Sequence, residues 1–303
     1  MFNKLIAAIL PYFPKKFIWI FSRSYIAGET MEDAMRVSSE LNKRNIMVTL
    51  DVLGEFIQTL EEAEENKREY MHLIDYTYSR KINGNFSLKP TSFGLLIDKD
   101  VCLRHVREIV AKAASYNSFI RIDMEDSPCT DLEIELFRQL RNEYPANVGL
   151  VVQAYLKRTF QDIRDLGNLS DGTVPLNFRL CKGIYIEPEA ISFRKHDEIN
   201  RHYTEDLEYM FANKMYAGIA THDKELIDAA LNLIRKYKVP PEMYEFQMLY
   251  GVTPRLRDSI VAEGHKMRIY VPFGKQWFGY STRRLKENPK VASHIMKAIF
   301  YKG

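Results

Sequence analysis

FIRIDMEDSPCTDLEIELFRQLRNEYPANVGLVVQ (residues 119–153) carries the pattern that decides the fold. It opens on a short apolar run, Phe119 to Asp123, that ends in an acid. Thr130-Asp131-Leu132-Glu133 then has the capping-box spacing that starts an amphipathic helix, and Pro145 stops it. A second apolar run, Gly149 to Gln153, follows at once. Short apolar runs joined by a helix-length amphipathic segment are what parallel strands under covering helices look like.

Working outward, the same unit recurs along the chain. Apolar runs lie at Ile46 to Leu50, Phe86 to Lys89, Phe178 to Lys182, Ala217 to Thr221, Tyr244 to Met248 and Met267 to Val271, making eight with the two above. Most are followed by a helical pattern; Thr30-Met31-Glu32-Asp33 opens one with a cap residue and early acids, and the charge run Glu61 to Glu69 reads as a solvated helix face. The spacing of roughly 23 to 40 residues is what a strand, a helix and two short loops consume. Eight such units predict an α/β chain folded as a (β/α)8 barrel. A doubly wound sheet would carry a glycine-rich phosphate turn, and neither G-x-G-x-x-G nor G-x-x-x-x-G-K-S/T occurs. Residues 1–303 therefore read as one barrel domain, without a linker or low-complexity tract.

The composition agrees. In 303 residues, 46% are hydrophobic and 27% charged, enough for a sizeable core. A net charge of +3 is too near balance for a chain whose main partner is nucleic acid, so that class is set aside. Cys102, Cys129 and Cys181 form no pair and suit a reducing, cytoplasmic compartment. Residues 1–27 hold two apolar stretches broken by Lys4, Pro11, Pro14, Lys15 and Lys16, each far short of the ~20 residues a bilayer helix needs. This segment reads as an N-terminal helical cap or, through Trp19 and its Phe and Lys residues, as a peripheral membrane contact.

In such a barrel the chemistry sits where strands end. Here the runs finish at or near Asp51, Lys89, Asp123, Gln153, Lys182, Thr221-His222, Gln247 and Tyr270. One polar strand end means little; eight converging on one mouth must pair or bind something. No H-E-x-x-H, no metal-spaced His/Asp cluster and no G-x-S-x-G elbow accompanies them. Beyond the eighth run, Tyr280, Arg283, Arg284 and Glu287 share a helical face, and two guanidiniums suit a small carboxylate held bidentately.

The runs SLKPTSFGL, RIDMED, VVQAYL, RLCKGIY, IATHD, EFQMLYG, RIYVPFG and GYSTRRLKENP, in this order, closely resemble the monofunctional proline dehydrogenases, from VTLDVLGEF (residues 48–56) to the C-terminus. The resemblance implies a distorted barrel that binds FAD noncovalently, oxidises L-proline to Δ1-pyrroline-5-carboxylate as the first step towards glutamate, and passes electrons to a membrane quinone. It implies roles as well. Lys89 resembles the substrate-side lysine, Asp123 its acidic partner, and Met124 a residue beside the flavin. Gln153 resembles the flavin-ring glutamine and Arg179 the arginine at the flavin's reactive edge, with Lys182, Gly183 and Ile184 lining the cofactor. Thr221 and His222 match flavin contacts, Tyr270 and Tyr280 pocket aromatics, and Arg283 with Arg284 the carboxylate clamp. Cys181, Ile184, Asp223 and Thr282 depart from the family pattern, and Ile184 adds bulk beside the cofactor.

A quinone acceptor would draw the protein to the inner face of the membrane, and the unstable product would go to a separate pyrroline-5-carboxylate dehydrogenase. Lys89 and Asp123, at neighbouring strand ends, are expected to touch. Two alternatives remain open: a dehydrogenase for a related cyclic amino acid such as hydroxyproline, and a noncatalytic flavin-binding barrel.

Overall fold

The computed structural model describes residues 18–19, 22–54, 57–170 and 172–287, with side chains as far as Thr282. After helix α1 (Met31–Asn42) come strand β1 (Met47–Val52), α2 (Leu60–Ser79), β2 (Gly84–Leu88), α3 (Lys99–Ser115) and β3 (Ile120–Ile122). Next are α4 (Ser127–Glu143), β4 (Val148–Gln153), α5 (Thr159–Leu166), β5 (Asn177–Cys181), α6 (His196–Ala212) and β6 (Tyr216–Ala220). The chain continues through α7 (Lys224–Tyr237), β7 (Tyr244–Leu249), α8 (Pro254–Ala262) and β8 (Met267–Phe273) to α9 (Trp277–Glu287). The eight strands pair in sequence order as a closed barrel, all parallel, with β8 returning to β1 in the register Met47↔Arg268 to Val52↔Phe273. Every expected strand is present.

The strands alternate more than their sequences suggest. Val48, Leu50, Phe86, Leu88, Ile120, Ile122, Phe178, Leu180, Ile269 and Val271 are buried in the main hydrophobic core. The residues between them are polar and bond to one another: Thr49 donates to Asn85 at 2.5 Å, Arg121 to Asn177 Oδ1 at 2.6 Å, and Arg268 to Glu245 at 2.7 Å. With side chains of successive residues on opposite faces, one set packs under the helices and the other fills the lumen. The lumen is therefore a column of hydrogen bonds leading to the mouth.

Local signals explain the helix starts. Thr30 accepts from Asp33 N at 3.2 Å while the Asp33 carboxylate accepts from Thr30 N at 3.4 Å, so the expected cap residue and one of its early acids form a full capping box. The capping box expected at Thr130 is corrected. Helix α4 begins at Ser127 with Asp126 as N-cap and a proline in its first turn, a turn ahead of Thr130. Glu133 is instead buried and turns back to accept from Glu125 N at 3.0 Å. Of the N-terminal segment, Trp19 packs against Trp277 at 4.7 Å between ring centroids, whereas residues 1–17 lie outside the described residues. No described helix is long and apolar enough to cross a membrane.

Candidate active site

The polar column emerges at the C-terminal ends of the strands into a cavity of about 400 Å³. Lys89 and Tyr270 stand on one side of it. Lys89 Nζ lies 3.0 Å from both carboxylate oxygens of Asp51 and 3.4 Å from the Tyr270 hydroxyl. Asp123 forms the expected ion pair with the same ammonium, at 4.0 Å, but the closer partner of the lysine is Asp51. Asp123 is already engaged, accepting from Arg179 at 2.8 Å, Tyr270 at 2.8 Å and Ser87 at 2.9 Å. Burial raises the Asp51 carboxyl above its ordinary range; the Lys89 charge pulls it down and the Asp123 charge adds to the rise. Burial, with both carboxylates nearby, likewise pushes the Tyr270 phenol well up, keeping it a neutral donor.

Arg179 is held on all its edges. Its Nε donates to Gln247 Oε1 at 2.6 Å, one terminal nitrogen to Asp123 at 2.8 Å and the other to Ser87 Oγ at 3.0 Å. The plane sits 5.2 Å from the centre of the Tyr270 ring. At 6% exposure and with every branch engaged, this guanidinium presents a fixed positive charge to the cavity it lines.

The lining is otherwise rich in apolar side chains, with Met124, Val151, Ala220, Met248 and Leu249 among them. Gln153 gives Nε2 to the Glu125 carbonyl at 2.8 Å, and its Oε1 has no partner among the described residues. Lys182 reaches Asp223 at 2.6 Å, and His222 accepts from Leu249 N at 2.9 Å, which fixes its ring. Gly183 (φ +100°) presses on Tyr155: an added Cβ would fall 2.0 Å from that ring. Ile184 and Thr221 also line the cavity, Ile184 more than a third exposed at its rim. His196, Asp223 and Glu225 bring three potential metal ligands within 4.8 Å, but the Lys182 ammonium already answers the Asp223 charge.

The structure thus gathers Lys89, Asp123, Met124, Gln153, Arg179 and Lys182 around one cavity, with Gly183, Ile184, Thr221, His222, Tyr270 and Tyr280 completing it. Tyr280 is buried on α9, whose backbone continues through Arg283 and Arg284; the side chains of those arginines lie outside the described set. Three participants were given no site role from sequence. Asp51 was visible as a strand end but not as the lysine's partner. Ser87 precedes Lys89 by one alternation of the strand, the signal that could have found it. Gln247 reads from sequence only as a polar strand residue.

A closed (β/α)8 barrel with a fixed guanidinium, a buried lysine–carboxylate pair and a cavity at the strand ends has the layout of an enzyme-type barrel. The chain belongs to the proline dehydrogenase family, whose model, described as "Proline dehydrogenase", matches residues 34–297. It is 34% identical over 281 residues to Proline dehydrogenase 1 of Bacillus subtilis (strain 168), covering 93% of this chain and 91% of that protein. It is 32% identical over 286 residues to Proline dehydrogenase of Deinococcus radiodurans, again covering 93% and 91%. Among solved structures, proline utilization A (PutA) from Bdellovibrio bacteriovorus, inactivated by N-propargylglycine, superposes with a TM-score of 0.82 at 26% identity. That match covers 88% of this chain but 32% of the PutA chain, so this chain spans about a third of that larger protein.

Proposed function

We propose that this protein oxidises L-proline to Δ1-pyrroline-5-carboxylate with noncovalently bound FAD, passing electrons on to a membrane quinone in the first step from proline to glutamate. The observation that carries the reading is Arg179, immobilised against the cavity of a chain that matches the proline dehydrogenase model over residues 34–297. The cavity suits a flavin: its largely apolar lining can take a flat ring, and Gln153 Oε1 is an acceptor still to be used.

FAD, when bound, supplies the acceptor for the hydride that leaves the substrate ring. Gln153, Lys182, Thr221 and His222 would hold it, in the cavity that Met124, Gly183 and Ile184 also line. Arg179 would offer the bound group a fixed positive charge. Arg283 and Arg284 would grip the substrate carboxylate, and Lys89, Asp51 and Tyr270 would shape the field around the amine, fixing the reacting carbon by orientation.

The acceptor's home in the bilayer makes residues 1–27 the natural contact with the inner membrane face, and the product calls for a partner pyrroline-5-carboxylate dehydrogenase. The test is the visible spectrum of purified protein. Yellow protein that bleaches on anaerobic addition of L-proline is expected; a colourless chain that takes up no FAD on reconstitution overturns the reading.

A further inference from the structure

We propose that Glu245, one strand layer below the cavity, is a positioning residue for Arg179 and acts through Gln247. The proposal rests on the reading of Arg179 as the cation of a flavin site, and deepens it.

Gln247 Nε2 donates to Glu245 Oε1 at 2.6 Å, and Gln247 Oε1 accepts from Arg179 Nε at 2.6 Å. A guanidinium can only donate and an ionised carboxylate can only accept, so the amide between them has a single workable orientation. Arg268 favours the ionised form of Glu245, with its Nε 2.7 Å from the same oxygen; burial pushes the carboxyl up, but the Arg268 and Arg121 charges and the Gln247 hydrogen bond together hold it below its ordinary range. With a neutral group at residue 245, the amide could turn and face Arg179 with its own hydrogens. Arg179 would then keep only Ser87 and Asp123. Those two anchors are linked, because Ser87 Oγ donates to the same Asp123 oxygen, so Gln247 is the independent hold on the guanidinium.

The backbone makes room for this arrangement. Arg179, Gly218 and Glu245 stand side by side on β5, β6 and β7. A Cβ on Gly218 would come 2.6 Å from Gln247 Nε2 and 3.4 Å from Arg179 Cα. The missing side chain on the middle strand is the slot in which the amide lies.

The experiment uses the FAD-loaded full chain with Glu245→Gln, alone and with Arg179→Lys, whose ammonium lacks an Nε. The expected result is about a tenfold slower bleaching by saturating L-proline, the loss of roughly one hydrogen bond to a charged group, with KM almost unmoved. In the Arg179→Lys background Glu245→Gln should add no further loss. Independently of substrate and cofactor, the Arg179 Nε–H resonance, assigned by its disappearance in Arg179→Lys, should exchange slowly with solvent in the parent and quickly in Glu245→Gln.

Unchanged bleaching, an equal loss in both backgrounds, or unchanged exchange would overturn the proposal. Should Glu245→Gln fail to fold for want of a partner to Arg268, Gly218→Ala crowds the same amide without removing a charge and must give the same non-additive pattern. A parent protein that proline does not bleach refutes the functional reading alone; the exchange measurement still decides the role of Glu245.

Discussion

Lys89 reaches back to Asp51 on the first strand, with Nζ 3.0 Å from each carboxylate oxygen, and leaves Asp123 a full 4.0 Å away. The choice follows from supply. Asp123 already accepts from three donors, whereas Asp51 is completely buried and needs a cation to remain charged.

Removing one member of a buried pair should therefore cost more than removing both. Asp51→Ala is expected to lower unfolding free energy by ~3 to 5 kcal/mol, and Lys89→Met in that background to restore part of it. Urea denaturation of the four proteins in the cycle measures the coupling. The same cycle between Lys89 and Asp123 should give a smaller term; a larger one would reverse the pairing described above.

Gly183 offers a sharper local test. Its φ of +100° is strained for any other residue, and a Cβ there would overlap the Tyr155 ring. Gly183→Ala should lower the melting temperature and, by moving the cavity wall, the flavin-to-protein absorbance ratio. A variant that melts and loads like the parent would show that the loop can relax away from Tyr155.

Arg283→Lys should raise KM for proline steeply while flavin content stays constant, because an ammonium cannot reproduce a two-pronged grip on a carboxylate. Steady-state kinetics beside the absorbance ratio read both quantities. Unaltered proline kinetics would show that Arg283 does not hold the substrate carboxylate.

Asp206, within α6, is fully buried, and neither carboxylate oxygen has a hydrogen-bond partner among the described residues. Burial pushes its carboxyl up to about 8 from an ordinary 3.8. The folded chain thus keeps a proton that the unfolded chain releases. The stability from this group is complete below pH 3.8, falls as pH rises, and is gone above about 8. Asp206→Asn should flatten that decline and leave the protein more stable than its parent at mildly alkaline pH. Parallel pH slopes in urea titrations would show that Asp206 does not titrate across this window.

The barrel was legible because its punctuation is local. Eight apolar runs and their polar ends can be counted without knowing how the sheet closes, and the observed strands lie within two residues of them at nearly every boundary. Partner choice was not legible in the same way. Whether Lys89 turns to Asp51 or to Asp123 depends on how many donors each carboxylate already holds across the closed lumen, which no single strand reveals. The misplaced start of α4 has a similar cause. The Thr130 to Glu133 spacing is real, but Asp126 and Pro128 start the helix first and Glu133 is taken by a backbone amide outside it. The alternation within each strand was masked because lumenal Arg, Glu and Gln pair with one another instead of facing water.

The contact between Trp19 and Trp277 gives the molecule a built-in optical gauge. These are the two tryptophans of the whole sequence, and they meet at 4.7 Å where the N-terminal segment touches the first residue of α9. Trp277 also donates to Glu29 at 2.6 Å, so any separation of the pair alters both its neighbour and its polarity. Intrinsic tryptophan emission from this protein is accordingly a one-point signal. It reports whether the start of the chain is seated against the helix that carries Tyr280 to the cavity, and a fluorescence change on adding ligand would mark movement at that junction without any introduced label.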